Sequence, residues 1–245
     1  MAQLFDDFTS YPLSDGVLPP YLTALDGTQN YSIVEDNLGD GIPLFRHETS
    51  GTAALLVSGL PLSSGRAEII CRVRHTSNLL LRIRHVGVSE STGVLYEYNA
   101  SARSIRQRNT ALTTLATGTD GSASFSIFYF YRIVYEPDNT IRAKRWEGAL
   151  HDEPVGWSAV ATNGTISTAF ESQISLAAFN MDFARYQWWG FGTDGDPAPT
   201  GPLSTTEAFA LRHNPRTNKV IPVLSSPTVT DIGAACVRPR VTKGF

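Results

Sequence analysis

Two sets of side chains in this sequence are suited to holding a ligand. The first is aromatic: Tyr96, Tyr98, Trp146, Trp157 and Trp188. A ring presented at a surface stacks on the apolar face of a pyranose, so these five are candidate carbohydrate-binding residues. The second set is basic. Arg82 and Arg84 alternate along one segment, as Arg72 and Arg74 do along another and Arg106 and Arg108 along a third. Guanidinium groups are planar, bidentate donors to anionic partners. If the three segments adjoin, their arginines form one cationic face able to meet acidic polysaccharide, lipopolysaccharide phosphates or an acidic protein. The alternative is a solvated face with cross-strand partners such as Glu68 and Glu97.

Catalytic patterns are laid out differently from what this chain shows. An acid trio at period two, Glu-x-Asp-x-Glu, would align carboxylates for glycoside hydrolysis. It does not occur, and Glu97 is a lone acid. There is no G-x-S-x-G, the histidines His47, His75, His85, His151 and His213 are scattered, and neither cysteine has a C-x-x-C spacing. No catalytic residue is expected.

Strands must position these side chains. In 66–75, Ala67, Ile69, Cys71 and Val73 share one face, and Glu68, Arg72 and Arg74 the other. In 78–86, Leu79, Leu81 and Ile83 alternate with Leu80, Arg82 and Arg84. A polar turn at Thr76, Ser77 and Asn78 separates the two, so they read as neighbouring antiparallel strands. Further strands are expected at 31–35, 52–57, 93–99, 103–108, 111–116, 124–135, 140–146, 172–179 and 183–191. Within 124–135, Phe128 and Phe130 face one way and are expected in the core. Tyr129, Tyr131 and Tyr135 face the other, over the second sheet or a neighbouring subunit. Trp189 and Phe191 face opposite to Trp188 and Gly190.

No amphipathic helix of ten residues stands out, and strands are not interleaved with helical patterns. The expected fold is therefore an all-β, antiparallel sandwich or barrel. A Pro- and Gly-rich shift near 194–205 marks the end of the main domain, set at 1–199. Residues 200–245 follow as a linker and an extended C-terminal arm, with too few apolar residues for a core of their own. Such an arm is expected to dock on another chain.

Charged residues make up 18% of the 245, and Gly and Pro number 20 and 14, which suits a turn-rich β protein. Net charge is −3, so nucleic acid is not an expected partner. The first residues, MAQLFDDFTS, have neither the basic nor the apolar region of a signal peptide, and no apolar run is long enough for membrane insertion. Two cysteines, Cys71 and Cys236, do not make a disulfide framework, which points to a reduced cytoplasm as birthplace while leaving their pairing open.

Three stretches resemble a known architecture. Leu4-Phe5-Asp6-Asp7-Phe8, with Leu18-Pro19-Pro20 after it, resembles the opening of concanavalin A-like jelly rolls of the laminin-G-like type. Lys144-Arg145-Trp146, then Glu153-Pro154 and Trp157, is similar to a lysine–x–tryptophan, glutamate–proline, tryptophan stretch of the same modules. Trp188-Trp189-Gly190-Phe191-Gly192, running on to Asp196-Pro197-Ala198-Pro199, is similar to their final strand and exit loop in tailed-phage structural and tail proteins. The end of the chain, with Val237-Arg238-Pro239-Arg240-Val241, resembles short C-terminal segments of such proteins.

The resemblance implies a two-sheet jelly roll over 1–199 and a non-enzymatic virion protein of tail or baseplate, made in the host cytoplasm, with a free-standing carbohydrate-binding module, a capsid decoration protein and a glycoside hydrolase as the alternatives. Its partners would be other virion proteins, copies of itself and host surface polysaccharide. It implies first and last strands side by side, a calcium site for which Asp6, Asp7 and Asp182 are candidates, and an assembly role for Val237, Arg238, Pro239, Arg240 and Val241.

Overall fold

The computed structural model describes residues 2–25, 29–35, 41–49, 52–58, 60, 66–76, 78–85, 95–100, 102–109, 111–121, 124, 127–162, 173–179, 183–201, 209–214 and 219–224. Its larger sheet contains β1 (Ala2–Asp6), β2 (Ser14–Asp15), β4 (Gln29–Glu35), β5 (Pro43–Thr49), β7 (Ala67–His75), β12 (Tyr129–Tyr135), β13 (Thr140–Trp146), β14 (Ala159–Thr162) and β16 (Ala184–Thr193). The smaller contains β3 (Leu22–Leu25), β6 (Thr52–Val57), β8 (Asn78–His85), β9 (Leu95–Asn99), β10 (Ser104–Asn109), β11 (Ala111–Thr117) and β15 (Gln173–Phe179). Every pairing within them is antiparallel. The fold is the expected two-sheet jelly-roll sandwich. Among the described residues one 3-10 turn, Leu150–Asp152, interrupts it, and no helix is long and apolar enough to cross a membrane.

The sheet order is β14-β13-β12-β7-β16-β5-β4-β2 for the larger sheet and β11-β10-β9-β8-β15-β6-β3 for the smaller. β1 joins the larger sheet by pairing with the second half of β16, from Ala2↔Thr193 to Asp6↔Trp189, while β5 pairs with its first half. First and last strands of the sandwich are thus adjacent.

Period-two alternation builds the core between the sheets. Ala67, Ile69, Cys71 and Val73 meet Leu79, Leu81 and Ile83 there, with Trp189 and Phe191. Two expectations change. Although β7 and β8 are joined by a short turn, they lie in different sheets: β7 pairs with β12 and β16, and β8 with β9 and β15. The strand run crosses over because both segments have an apolar face to bury, and facing sheets bury both at once. The second change concerns the aromatic run. Its parity holds, but Tyr129, Tyr131 and Tyr135 line the main core, and Phe130 lies on the outer side with Ile70, Trp146 and Ala198. Tyrosine is admitted to the core because its hydroxyl finds partners: Tyr131 Oη meets His75 Nε2 at 2.8 Å, and Tyr135 Oη meets Asn139.

β16 changes parity midway. Its register against β7 shifts between Tyr186 and Trp188, a bulge centred on Gln187. Both Tyr186 and Trp189 therefore point inward, three residues apart, and Trp188 is turned to the outer face. Beyond it, the exit loop folds back over Gly190 and Gly192. A Cβ at Gly190 would lie against the Pro199 carbonyl, and one at Gly192 would lie 2.6 Å from the Ala198 nitrogen. Gln3 Nε2 donates to Pro197 O at 2.6 Å, and the Ala198 N–H donates to Glu68 Oε2 at 3.2 Å. Residues 194–199, the exit loop of the domain, close the outer face of the larger sheet.

Past residue 201, β17 (Phe209–Asn214) and β18 (Lys219–Leu224) pair with each other as a separate hairpin, whose first strand passes beside β1. Val237, Arg238, Pro239, Arg240 and Val241 lie outside the described residues, as does Cys236. Cys71 is a free thiol buried in the core.

Candidate functional site

The outer face of the larger sheet holds a cavity of about 510 Å³ at its β2–β4–β5 end. Its walls are Asp15, Gly16, Asn30, Tyr31, Ser32, Arg46 and Glu48. Strand register builds it. Asp15 stands opposite Ser32 and Ser32 opposite Arg46, while Asn30 stands opposite Glu48 in the next row. The intervening residues Ile33, Phe45 and His47 point into the core and hold the strands flat. β2 can end beside the cavity because Gly16 takes φ +73°, where a side chain would be strained, and its N–H donates to Tyr31 O at 2.8 Å.

The chemistry of these walls is nearly all polar. Asp15 and Glu48 accept hydrogen bonds, Arg46 donates them, and Asn30 and Ser32 do both. Arg46 and Glu48 form an ion pair, with side chains about one-third exposed (35% and 28%), so both remain open to a ligand. Such a mixture matches hydroxyl groups, each of which donates and accepts. Sequence reasoning missed this site. The alternation in β5 is blurred by Leu44 beside Phe45, although Phe45-x-His47 against Arg46-x-Glu48 was the available signal.

Across the same face runs an aromatic row: Trp188 opposite Arg72, Arg72 opposite Phe130, and Phe130 opposite Trp146. Trp188 is half-buried beside Phe5, with ring centres 5.7 Å apart. Trp146 is largely covered, stacked flat on Phe130 at 5.1 Å, and its Nε1–H donates to Ala149 O at 3.1 Å.

The lysine–tryptophan, glutamate–proline, tryptophan stretch is a clamp. Lys144 Nζ reaches Glu153 at 2.6 Å, donates to Pro154 O at 2.7 Å and lies 4.4 Å from the centre of the Trp157 ring. Arg132 ties Glu153 to the buried Glu68, at 2.6 and 3.0 Å. Trp157 is half-buried over this clamp. Burying Glu68 raises its carboxyl above the ordinary range, against the pull of Arg132 and Arg66.

The remaining candidates are dispersed. Tyr98 is fully buried in the core, its hydroxyl donating to Asp120 at 3.2 Å, so its ring presents no face to a sugar. Arg82 is fully buried on the smaller sheet, and the register sets Glu97 opposite both Arg82 and Arg106. The three arginine-bearing segments do not all adjoin: Arg72 and Arg74 lie on the larger sheet, and Arg82 and Arg106 on the smaller. Tyr96 lies on β9 and Arg84 on β8, but their side chains fall outside the described structure.

Asp6 is engaged as a hydrogen-bond acceptor. Its Oδ1 takes the Phe8 N–H at 2.8 Å, and its Oδ2 takes Tyr21 Oη–H at 2.6 Å and Tyr11 Oη–H at 2.9 Å. Burial pushes its carboxyl up even so. Asp7 caps a local turn, accepting from Thr9 N and Oγ1 at 3.1 and 2.7 Å. Asp182 lies outside the described residues. Among the described residues, no three acidic, histidine or cysteine side chains are grouped to hold a metal ion. His47 is buried on β5, and burial pushes its imidazole down to about 4, so it stays neutral near pH 7.

No protein-family model matches the chain, and no curated protein matches it by sequence. Solved structures do resemble it. A carbohydrate-binding module from Bacillus subtilis aligns with 68% of this chain and 92% of its own, at 12% identity and a TM-score of 0.47. The metal-free lectin I-B4 of Griffonia simplicifolia aligns over 78% and 99%, at 12% identity and 0.47. A Shewanella oneidensis protein of unknown function aligns over 77% and 84%, with the same identity and score. Likeness at this level decides nothing about a ligand, which has to be argued from the face itself.

Proposed function

We propose that this chain is a non-enzymatic carbohydrate-binding jelly roll. The observation that carries the reading is the cavity at Asp15, Asn30, Ser32, Arg46 and Glu48, whose paired donors and acceptors suit a polyhydroxylated ligand. Trp188, turned outward by the β16 bulge, offers a stacking surface further along the same face. Cleavage of a glycoside would need a proton-donating carboxylic acid facing a second carboxylate. Glu48 is instead engaged by Arg46.

A glycan array of bacterial surface polysaccharides, probed with the full chain, is the test. Retention on at least one polysaccharide is expected, weakened about tenfold or more by Asp15→Ala or Asn30→Ala, a loss of about 1.4 kcal/mol. The bound polymer should release no reducing sugar. An array without retention, or cavity variants that bind as well as the parent, would overturn the reading.

The same proposal places the module on a tailed-phage particle, at the tail or baseplate, with residues 200–245 docking on partner subunits. Its support is the resemblance at both ends of the sequence and the hairpin β17–β18, which pairs with neither sheet of the sandwich. Light scattering checks the arm. The full chain is expected to run as a defined oligomer and a 1–200 truncation as a folded monomer, and two monomers would refute it.

A further inference from the structure

The walls of the cavity run across the strands. Asp15 of β2, Ser32 of β4 and Arg46 of β5 form one line, with Asn30 and Glu48 in the line beside it. β2 ends the sheet, so the line leads from the sheet edge toward β16, the strand next to β5. β5 accompanies β16 only from Ala184↔His47 to Tyr186↔Phe45, and the bulge in β16 follows at once. Without the bulge, alternation from the inward Tyr186 would turn position 188 inward again. With it, an outward tryptophan stands on the strand at which the line of the cavity arrives. Bulges are used in this way to re-aim a side chain beside a site.

Trp188 is one of a pair. Phe5 of β1 lies beside it, with ring centres 5.7 Å and planes 35° apart, and both side chains are half-buried. Phe130, itself buried, packs on Trp188 at 5.9 Å and fixes its tilt. The polar cavity is therefore followed by an apolar step on the same face. From Asp15 to β16 is a distance of three strand spacings, roughly 14 Å, and Trp188 lies roughly 7 to 10 Å further along β16 than the level of Arg46. A single pyranose cannot touch both features, whereas a chain of several can.

We infer that this face binds a linear polysaccharide along its length, with one sugar in the cavity and a later sugar of the same chain stacked on Trp188 and Phe5. The inference rests on the carbohydrate-binding reading above and names the class of glycan: a polymer gripped over several units. The two contacts use different parts of a sugar. The cavity meets its hydroxyl groups, and the indole meets the apolar face of its ring. Joined by one chain, they bind more tightly than either does alone, because the second forms within a complex already made.

Titration calorimetry of the full chain against sugars of graded length tests the inference. The probes are dextran, mixed-linkage β-glucan, xylan and the polysaccharide retained on the array, each as the polymer and as its hydrolysis fragments from the single sugar upward. A polymer is expected to bind about tenfold or more tightly than its own disaccharide. Trp188→Leu keeps an apolar side chain against Phe5 and Phe130 but removes the flat ring. It should abolish most of the gain with length and leave the affinity for the disaccharide where it was, while Trp188→Phe keeps part of the gain. Asp15→Ala should weaken fragments of every length. Each variant is first shown to melt as the parent does, and should Trp188→Leu fail to fold, Phe5→Ala takes its place. A disaccharide bound as tightly as the polymer overturns the inference and leaves the carbohydrate reading standing. A gain with length that survives the loss of the aromatic step overturns it too, because the chain would then leave the cavity by another path. No binding at any length, here and on the array, removes both.

Discussion

Gly190→Ala is expected to destabilise the sandwich by about 3 kcal/mol and to release the loop that follows β16. A methyl group there would lie against the backbone carbonyl of Pro199 and 3.2 Å from Ile70 Cγ2. Neither neighbour can move freely. Ile70 is buried with Phe130, Trp146 and Ala198, and the loop is tied down by Gln3 at Pro197 and by Glu68 at Ala198. Gly192→Ala should behave alike, since its Cβ would lie 2.5 Å from the Pro197 carbonyl carbon. Urea denaturation gives the size of the loss, and limited proteolysis shows whether 194–201 is released. A midpoint unchanged from the parent in both variants would mean that the loop is not seated on the strand. The glycine pattern of the final strand is thus a packing requirement: its two glycines make room for returning backbone.

The second large effect is at Asp6. Asp6→Ala is expected to cost about 4 kcal/mol, and Asp6→Asn about half as much, read from denaturation midpoints. Alanine leaves Tyr21 and Tyr11 without their acceptor in a buried setting. It also cuts the chain from Trp189 Nε1–H to Tyr21 Oη, at 2.7 Å, and on to Asp6. It further frees the Phe8 N–H, which holds Phe8 in a left-handed conformation at φ 62°. That conformation seats the Phe8 ring edge-on against Trp189 at 4.7 Å. Asparagine keeps an acceptor oxygen and so part of the network. Excess calcium should leave the melting temperature of the parent unchanged. Calcium-dependent stabilisation lost in Asp6→Asn would make Asp6 a metal ligand after all.

Both predictions rest on residues visible in the sequence for other reasons. The opening Leu4-Phe5-Asp6-Asp7-Phe8 and the closing Trp-Trp-Gly-Phe-Gly suggest first and last strands of one jelly roll, and β1 does pair with β16. The role of Asp6 could not be read from its neighbours, because its donors Tyr11 and Tyr21 come from the loop and edge beyond it. The lysine–tryptophan–glutamate–proline–tryptophan stretch was legible as a motif, but its use as a clamp between Lys144, Glu153 and Trp157 depends on the turn at 150–152 bringing them together.

Local alternation alone determined the all-β class, most strand positions and the inward set of β7, since a pleated strand has only two faces. In β12 it could not decide which face was inside. Phe128 and Phe130 against Tyr129, Tyr131 and Tyr135 is a choice between two apolar sides, settled by hydroxyl partners that only packing supplies. Nor could it tell that β7 and β8 part into different sheets, which sets their arginines on different faces of the sandwich. The cavity belongs to the tertiary structure entirely. Asp15, Ser32 and Arg46 come from three separate strands, brought side by side by the register. Lateral register between strands is set by the sheet as a whole, because no strand's own residues specify which neighbour it will meet.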